Sequence, residues 1–388
     1  MTKKQTKRKM KRRQKGIRYV DYSLLAILVC LVCFGLVMLY SASSYDAMIH
    51  YNNSMYFLKR QLIFTIMGVG VVYVVSKIDY HRYARWARVI YFFSIFLMAL
   101  VQTPLGKEVN GARRWLRLPG GLTLQPSELA KIAIILLIPV LICEMGKRMW
   151  SLKGIWEVLR WAVGAALGVA LLTDNLSTAI IVGAIACVMV FVAHPKTKPF
   201  LRFMGIVGVG AIAGVSFVGA TMVNSKNFRL RRIIAWLNPE AYASSIAYQP
   251  LQGLYAIGSG GLFGKGLGNS AQKMVIPEVQ NDMILSVICE ELGVFGAIAI
   301  LVLFGMLLYR LMFIAQNAPD MYGSLIVTGI FAHIALQVFL NVAVVTNTIP
   351  NTGVTLPFFS YGGTSLLFLA VEIGIALGVS KRIRLPED

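Results

Sequence analysis

Asn347-Thr348-Ile349-Pro350-Asn351-Thr352-Gly353-Val354-Thr355-Leu356-Pro357-Phe358-Phe359-Ser360-Tyr361-Gly362 lies between two long apolar segments and carries no charge. Its two prolines and two glycines cannot continue a helix, yet the run is too apolar for an ordinary hydrated loop. In a bilayer, irregular backbone is tolerated only where it packs on protein or lines a water-filled cavity. The run predicts a membrane protein with a structured lid or re-entrant loop at the membrane surface.

The rest of the chain agrees. Apolar residues make up 57% of the 388 positions, and charged residues only 14%. The apolar residues fall in blocks, and about 20 of them in helical conformation cross a bilayer. Ten spans are expected, centred near Val29, Met67, Phe96, Leu136, Leu167, Ala186, Val209, Ala297, Ala335 and Phe368. The expected fold is all-α and polytopic. A basic arm (1–20) precedes one membrane domain (21–382), which carries a large extracytoplasmic loop (223–281) between the seventh and eighth spans, and a short cytoplasmic tail (383–388) follows. No internal repeat is evident. The first span resembles a signal peptide at Ser41-Ala42-Ser43, but its apolar core, Leu24 to Tyr40, is longer than such a core usually is.

The net charge of +21 is unevenly distributed. Along ten spans, about 25 of the 38 Lys and Arg fall on the side of the N-terminus, the bias of cytoplasmic loops. Both termini are therefore expected inside. The basic arm suits anionic lipid better than nucleic acid. All five cysteines lie in expected spans, which leaves no external disulfide framework, and the four histidines show no zinc spacing.

Two outer loops break the charge bias. The first, about Thr103 to Ser127, holds Lys107, Arg113, Arg114 and Arg117. The second, about Val223 to Asn281, holds Lys226, Arg229, Arg231, Arg232, Lys265 and Lys273. Guanidinium forks suit phosphate oxygens, so an anionic substrate would explain these cations, Arg113 and Arg114 first. Solvated surface is the plainer reading for Lys226 or Lys273 taken singly. Leu230, Ile233, Ile234 and Leu237 repeat at helical spacing, so an amphipathic helix is expected to lie in the outer interface with its arginines toward headgroups. Gly258 to Gly266 fails the phosphate-loop register, because Ser259 stands at the first glycine position and Gly266 follows the lysine. Gly266-Leu267-Gly268-Asn269-Ser270-Ala271 has no strand before it, so a dinucleotide reading fails as well.

Asp282 opens the eighth span, with Ser286 and Glu290 on the same face and Glu290 about 12 Å deeper. Carboxylates at such positions face a cavity or a partner. Asp282 could serve as a helix cap or as a chemical group; Glu290 and Glu291 could simply hold the bundle together.

Several ordered blocks resemble the SEDS family (shape, elongation, division and sporulation). They are Gly35 to Ser43, Asn110-Gly111-Ala112-Arg113-Arg114-Trp115-Leu116, Gln125-Pro126-Ser127-Glu128-Leu129-Ala130-Lys131, Tyr248-Gln249, Gly258 to Gly268, Pro277 to Gly293, and the terminal run extended by Gly363-Thr364-Ser365. Thr355 in Gly353-Val354-Thr355-Leu356-Pro357 is similar to the FtsW-like and SpoVE-like branch, since the RodA-like branch tends to have proline there. Two departures stand out. Gln280-Asn281-Asp282-Met283 replaces the family's His-Thr-Asp-Phe, and Asn175 stands where a carboxylate is usual.

The resemblance implies an inverting peptidoglycan glycosyltransferase that polymerises lipid II at the outer face, with Asp282 as general base. Arg113, Arg114, Arg229, Lys265 and Ser360 would contribute to substrate binding, with Glu128 and Lys131 pairing to organise the site. No dedicated cofactor is implied, although a divalent cation could accompany the diphosphate. A class B penicillin-binding protein (a transpeptidase) and divisome proteins are the implied partners, at the cytoplasmic membrane of the division septum. Two other readings stand beside it: a lipid II flippase, and a non-catalytic scaffold for a transpeptidase.

Overall fold

The computed structural model describes residues 17–18, 20–109, 112–118, 122–198 and 228–385, with scattered positions between 202 and 217. Among these residues, nine helices are long and apolar enough to cross a membrane, so the chain is a helical multi-pass membrane protein. They are α1 (Tyr22–Tyr51), α2 (Tyr56–Lys77), α3 (Tyr80–Leu100), α4 (Pro126–Met145), α5 (Leu152–Leu172), α6 (Leu176–Ala193), α9 (Ile284–Asn317), α10 (Met321–Val345) and α11 (Gly363–Ser380). Two shorter helices, α7 (Phe228–Leu237) and α8 (Tyr248–Gly260), precede α9. The expected span at Val209 falls mostly outside the described residues, although Val209 itself is helical. α6 ends beside Trp150, where His194 Nε2 lies 3.2 Å from the Trp150 carbonyl. On α7, Trp236 Nε1 donates to the Asn347 carbonyl at 2.8 Å, at the other end of the bundle. The chain therefore changes ends between α6 and α7.

α4 is the central helix. It is apolar all round and buried on nearly every face, as a helix wholly surrounded by protein must be. α2, α3 and α5 instead bury one side and leave Ile66, Phe92, Leu171 and similar residues outward, as lipid-facing helices do. Close packing of α2 on α11 depends on small residues: a Cβ at Gly363 would stand 2.2 Å from Phe64, and one at Gly374 would stand 2.8 Å from Val75. The terminal run is irregular, as the sequence predicts, and works as a plug. Val354, Leu356, Phe358 and Phe359 are buried, with Phe359 packing against Phe34 and Phe304.

Three features depart from expectation. The fold is not purely helical, because the first outer loop is an antiparallel sheet of β2 (Gly106–Val109), β3 (Ala112–Leu118) and β4 (Leu122–Leu124). Asn110-Gly111, between β2 and β3 in the sequence, is a strong hairpin signal that a helical reading passes over. A small pair also joins the two ends of the chain, β1 (Ile17–Arg18) against β5 (Arg384–Leu385).

The second departure concerns α9, which breaks at Gly293 (φ 69°, ψ −169°), a conformation open to glycine and closed to most residues. The short arm before the break is buried on almost all sides, whereas beyond it only a stripe through Ile300, Phe304, Leu307 and Leu311 is buried. Thirdly, Lys273 in the second loop, for which solvated surface is the plainer reading, is buried where the loop packs on the bundle. α8 lies along the short arm of α9, with Gly253 near Ser286 and Gly260 so close that a Cβ would stand 2.0 Å from the Cys289 carbonyl.

Candidate active site

A cavity of about 1260 Å³ opens at the end of the bundle that carries the sheet and the terminal run. Asp282, Glu278, Asp174, Arg60, Arg114, Arg232, Gln249 and Asn351 face it, with an aromatic wall that includes Tyr56, Phe57 and Tyr361. Each charged group arrives for a local reason.

Asp282 lies in the turn just before α9, which is capped by Met283 with no side-chain hydrogen bond. Its carboxylate therefore does not cap the helix and is left to the cavity. Gln249 Nε2, in the first turn of α8, donates to Asp282 Oδ1 at 3.2 Å. Asn341 on α10 holds the backbone, donating to the carbonyls of Asp282 and Val354 at 2.8 Å each. Gly353 lies beside the carboxylate, since a Cβ there would stand 3.7 Å from Oδ2. Burial pushes the Asp282 carboxyl above the usual carboxylate range, and Glu278 adds to this; the Arg232 charge and the Gln249 hydrogen bond pull it back.

Strand geometry separates the two adjacent arginines of the first loop. Arg114 is the extra residue of a β-bulge in β3, between Arg113 opposite Glu108 and Trp115 opposite Lys107, and a bulge re-aims a side chain. Arg114 turns into the cavity and donates to the Asp174 carbonyl at 3.1 Å, while Arg113 stays on the exposed face, 3.3 Å from Glu108. The expectation for Arg113 is corrected by this geometry. Arg232 reaches the cavity from α7 and donates to the Asn351 carbonyl at 3.2 Å. It does not point to headgroups, because Ile234 and Ala235 on the same helix are buried. Burial and the neighbouring Arg114 both lower its pKa, which places two guanidinium charges within range of each other across one space.

The remaining expected site residues lie elsewhere. Glu128 and Lys131 form a buried pair at 2.9 Å within α4 and do not line the cavity. Lys265 is committed to Glu290 at 2.6 Å and to Ser259 at 2.8 Å. Lys273 is buried rather than solvated, 3.5 Å from Glu291. Ser360 accepts from the Leu356 N–H at 2.8 Å, closing the turn of the plug. Arg229 belongs to α7, with its side chain outside the described residues. Asn175 caps α6 through the Thr178 N–H at 3.1 Å, a task asparagine does as well as aspartate. Gln280 reaches Asp46 at 3.0 Å and Asn281 reaches Glu278 at 3.0 Å, so the residues that depart from the family pattern serve as local ties.

Arg60, Arg232, Gln249 and Asn351 line the cavity although they were not among the expected site residues. Gln249 and Asn351 did carry a signal, since both lie in blocks that resemble the family. Among the described residues, no three His, Cys, Asp or Glu side chains are grouped to hold a metal ion.

A family model for cell cycle proteins of the FtsW, RodA and SpoVE type matches residues 22–385. Stage V sporulation protein E of Bacillus subtilis is 38% identical over 366 residues, covering 94% of this chain and 98% of that protein. A probable peptidoglycan glycosyltransferase FtsW of Trichlorobacter lovleyi is 40% identical over 376 residues, 96% of each chain. Among solved structures, the rod shape determining protein RodA of Thermus thermophilus aligns with a TM-score of 0.65 at 28% identity, covering 93% of this chain and 96% of that one. A chain from a peptidoglycan synthase complex that coordinates polymerization and crosslinking aligns with a TM-score of 0.72 at 27% identity, covering 93% of this chain and 97% of that one.

Proposed function

The chain belongs to the FtsW, RodA and SpoVE family of cell cycle proteins, and from that premise we propose that it is a peptidoglycan glycosyltransferase polymerising lipid II at the outer face of the cytoplasmic membrane. The observation that carries this reading is Asp282, a carboxylate of raised pKa that faces a large cavity shared with Arg114 and Arg232. Donor and acceptor are both disaccharides on polyprenyl diphosphate. An acceptor sugar hydroxyl attacks the anomeric carbon of the donor. The new glycosidic C–O bond forms as the bond to the diphosphate breaks, and the diphosphate leaves with the electron pair. Asp282 takes the hydroxyl proton, and its raised pKa brings it nearer the operating pH, where a general base is most effective. Arg114 and Arg232 hold the diphosphate and meet the charge that grows on it. One displacement inverts the anomeric configuration.

A divalent cation, where one takes part, enters with the diphosphate as part of the substrate. Both termini face the cytoplasm, because the Lys and Arg excess lies at the end opposite the cavity. A class B penicillin-binding protein is the fitting partner, with divisome proteins at the septum, since a growing glycan needs crosslinking where it is made. The test is to mix purified chain with lipid II. Wild type should build glycan polymer and Asp282→Asn none, whereas equal polymer from both would sink the assignment.

A further inference from the structure

At the end of the bundle opposite the cavity lies a second recess, of about 680 Å³. The ends of α2 and α11, the start of α3 and the α9–α10 turn enclose it, and Lys77, His81, Asp320, Lys381, Arg382 and Arg384 line it. Its nearby carboxylates are already engaged. Asp320 accepts from the Tyr80 hydroxyl and from the Gly323 N–H at 2.8 Å, and lies 3.1 Å from His81. Asp79 pairs with Arg382 and with His81.

Two of the cations have only neutral partners. Lys77 Nζ donates to the Tyr73 hydroxyl at 2.5 Å, and Lys381 Nζ donates to Ser76 Oγ at 2.8 Å. Among the described residues, no carboxylate lies within ion-pair distance of either. Two ammonium groups with no carboxylate among the described residues in ion-pair distance, on the wall of one concave space, make a site for an anion.

The surroundings point to the class of anion. Lys77 ends α2, whose Val69, Tyr73 and Val74 are exposed and apolar and so face acyl chains. A headgroup seated in the recess leaves its tails along that face. Arg18 pairs with Arg384 in the β1–β5 ladder, and ten Lys or Arg occupy positions 3 to 18. Basic clusters of this kind in a sequence attract anionic leaflets.

We propose that this recess binds the phosphate of an anionic phospholipid headgroup in the leaflet that meets this end of the bundle. The site is separate from the glycan cavity and fixes the paired chain ends to the membrane.

The test uses the full chain in detergent micelles, with phosphatidylglycerol and phosphatidylcholine added in equal amounts and retained lipid counted by native mass spectrometry. Phosphatidylglycerol should be retained preferentially, and the Lys77→Gln/Lys381→Gln variant should lose about tenfold of that affinity, the scale of charge-assisted hydrogen bonds. Lys147→Gln/Lys153→Gln removes equal charge from exposed positions in the α4–α5 connection and the first turn of α5 and should change nothing. Lys77→Gln alone, which keeps the Lys381–Ser76 tie, should show part of the loss and covers the case in which the double variant fails to fold. Three results would overturn the proposal. Equal loss in both double variants would mean general surface attraction. Displacement by millimolar glycerol phosphate would assign the recess to a soluble phosphate. Displacement by a micromolar acidic peptide would assign it to a protein partner.

Discussion

Asp282 and Glu290 lie eight residues apart in one segment, each beside cations of the same loop region, and their surroundings differ in kind. Glu290 is saturated: Lys265, Ser270 and the N–H groups of Ala271 and Gln272 all donate to it, and no open space adjoins it. Asp282 accepts from Gln249 and otherwise faces the cavity. A carboxylate whose acceptor capacity is filled by its own chain holds structure, and one left with spare capacity on an open volume is available for chemistry. Glu291 falls on the structural side, bound by Ser41 of α1 at 2.6 Å and facing Lys273.

The sharpest way to break this contrast is to neutralise each carboxylate in turn. Asp282→Asn keeps size and removes the base, so turnover of lipid II should fall by about 10²–10⁴-fold while the melting temperature stays unchanged. Glu290→Ala should do the reverse. It leaves Ser270 and two backbone donors without their acceptor, at about 1–3 kcal/mol for each buried donor left unsatisfied, while the partly exposed Lys265 turns to water. A lowered melting temperature and a poor monodisperse yield are the expected readouts. A stable but inactive Glu290→Ala protein would show that the two roles had been assigned the wrong way round.

The arginines sharpen the same comparison on a smaller scale. Arg114→Ala and Arg232→Ala should each weaken apparent lipid II affinity about tenfold, as loss of a charge-assisted hydrogen bond does. Arg113→Ala, one residue away on the exposed face, should cost less than about twofold, in line with an exposed ion pair. Steady-state titration of the three variants checks this, and equal effects at Arg113 and Arg114 would contradict the placement of Arg114 alone in the cavity.

The smallest effect expected is on pH. A base must be ionised, so activity should fall as pH drops through the raised pKa of Asp282. The Arg232 charge draws that pKa down. Arg232→Gln should therefore move the acid limb of the rate profile to higher pH, and a limb that stayed in place or moved down would separate Arg232 from Asp282.

Much of the architecture was legible because bilayer thickness imposes a pattern that local composition can satisfy. Apolar blocks from Tyr22 to Ser380 became spans, and the Pro- and Gly-rich run 347–362 became irregular backbone packed on protein. Asp282 also stood out, as a carboxylate at the edge of an apolar segment. The sheet at 106–124 was less legible, since its strands are short and cationic, and only Asn110-Gly111 marked the turn.

What the sequence determined alone was therefore the class of solvent, the helical spans and a candidate carboxylate placed at a boundary, because each follows from the cost of exposing polar groups to lipid along a local stretch of chain. Which cations surround that carboxylate was decided by tertiary structure. Arg114 and Arg113 part company at a β-bulge, Lys265 is taken up by a glutamate 25 residues on, and Arg232 arrives from a helix whose apolar face had to be buried. Electrostatic roles depend on distance and on competition for partners across the fold, and neither is a property of sequence neighbours.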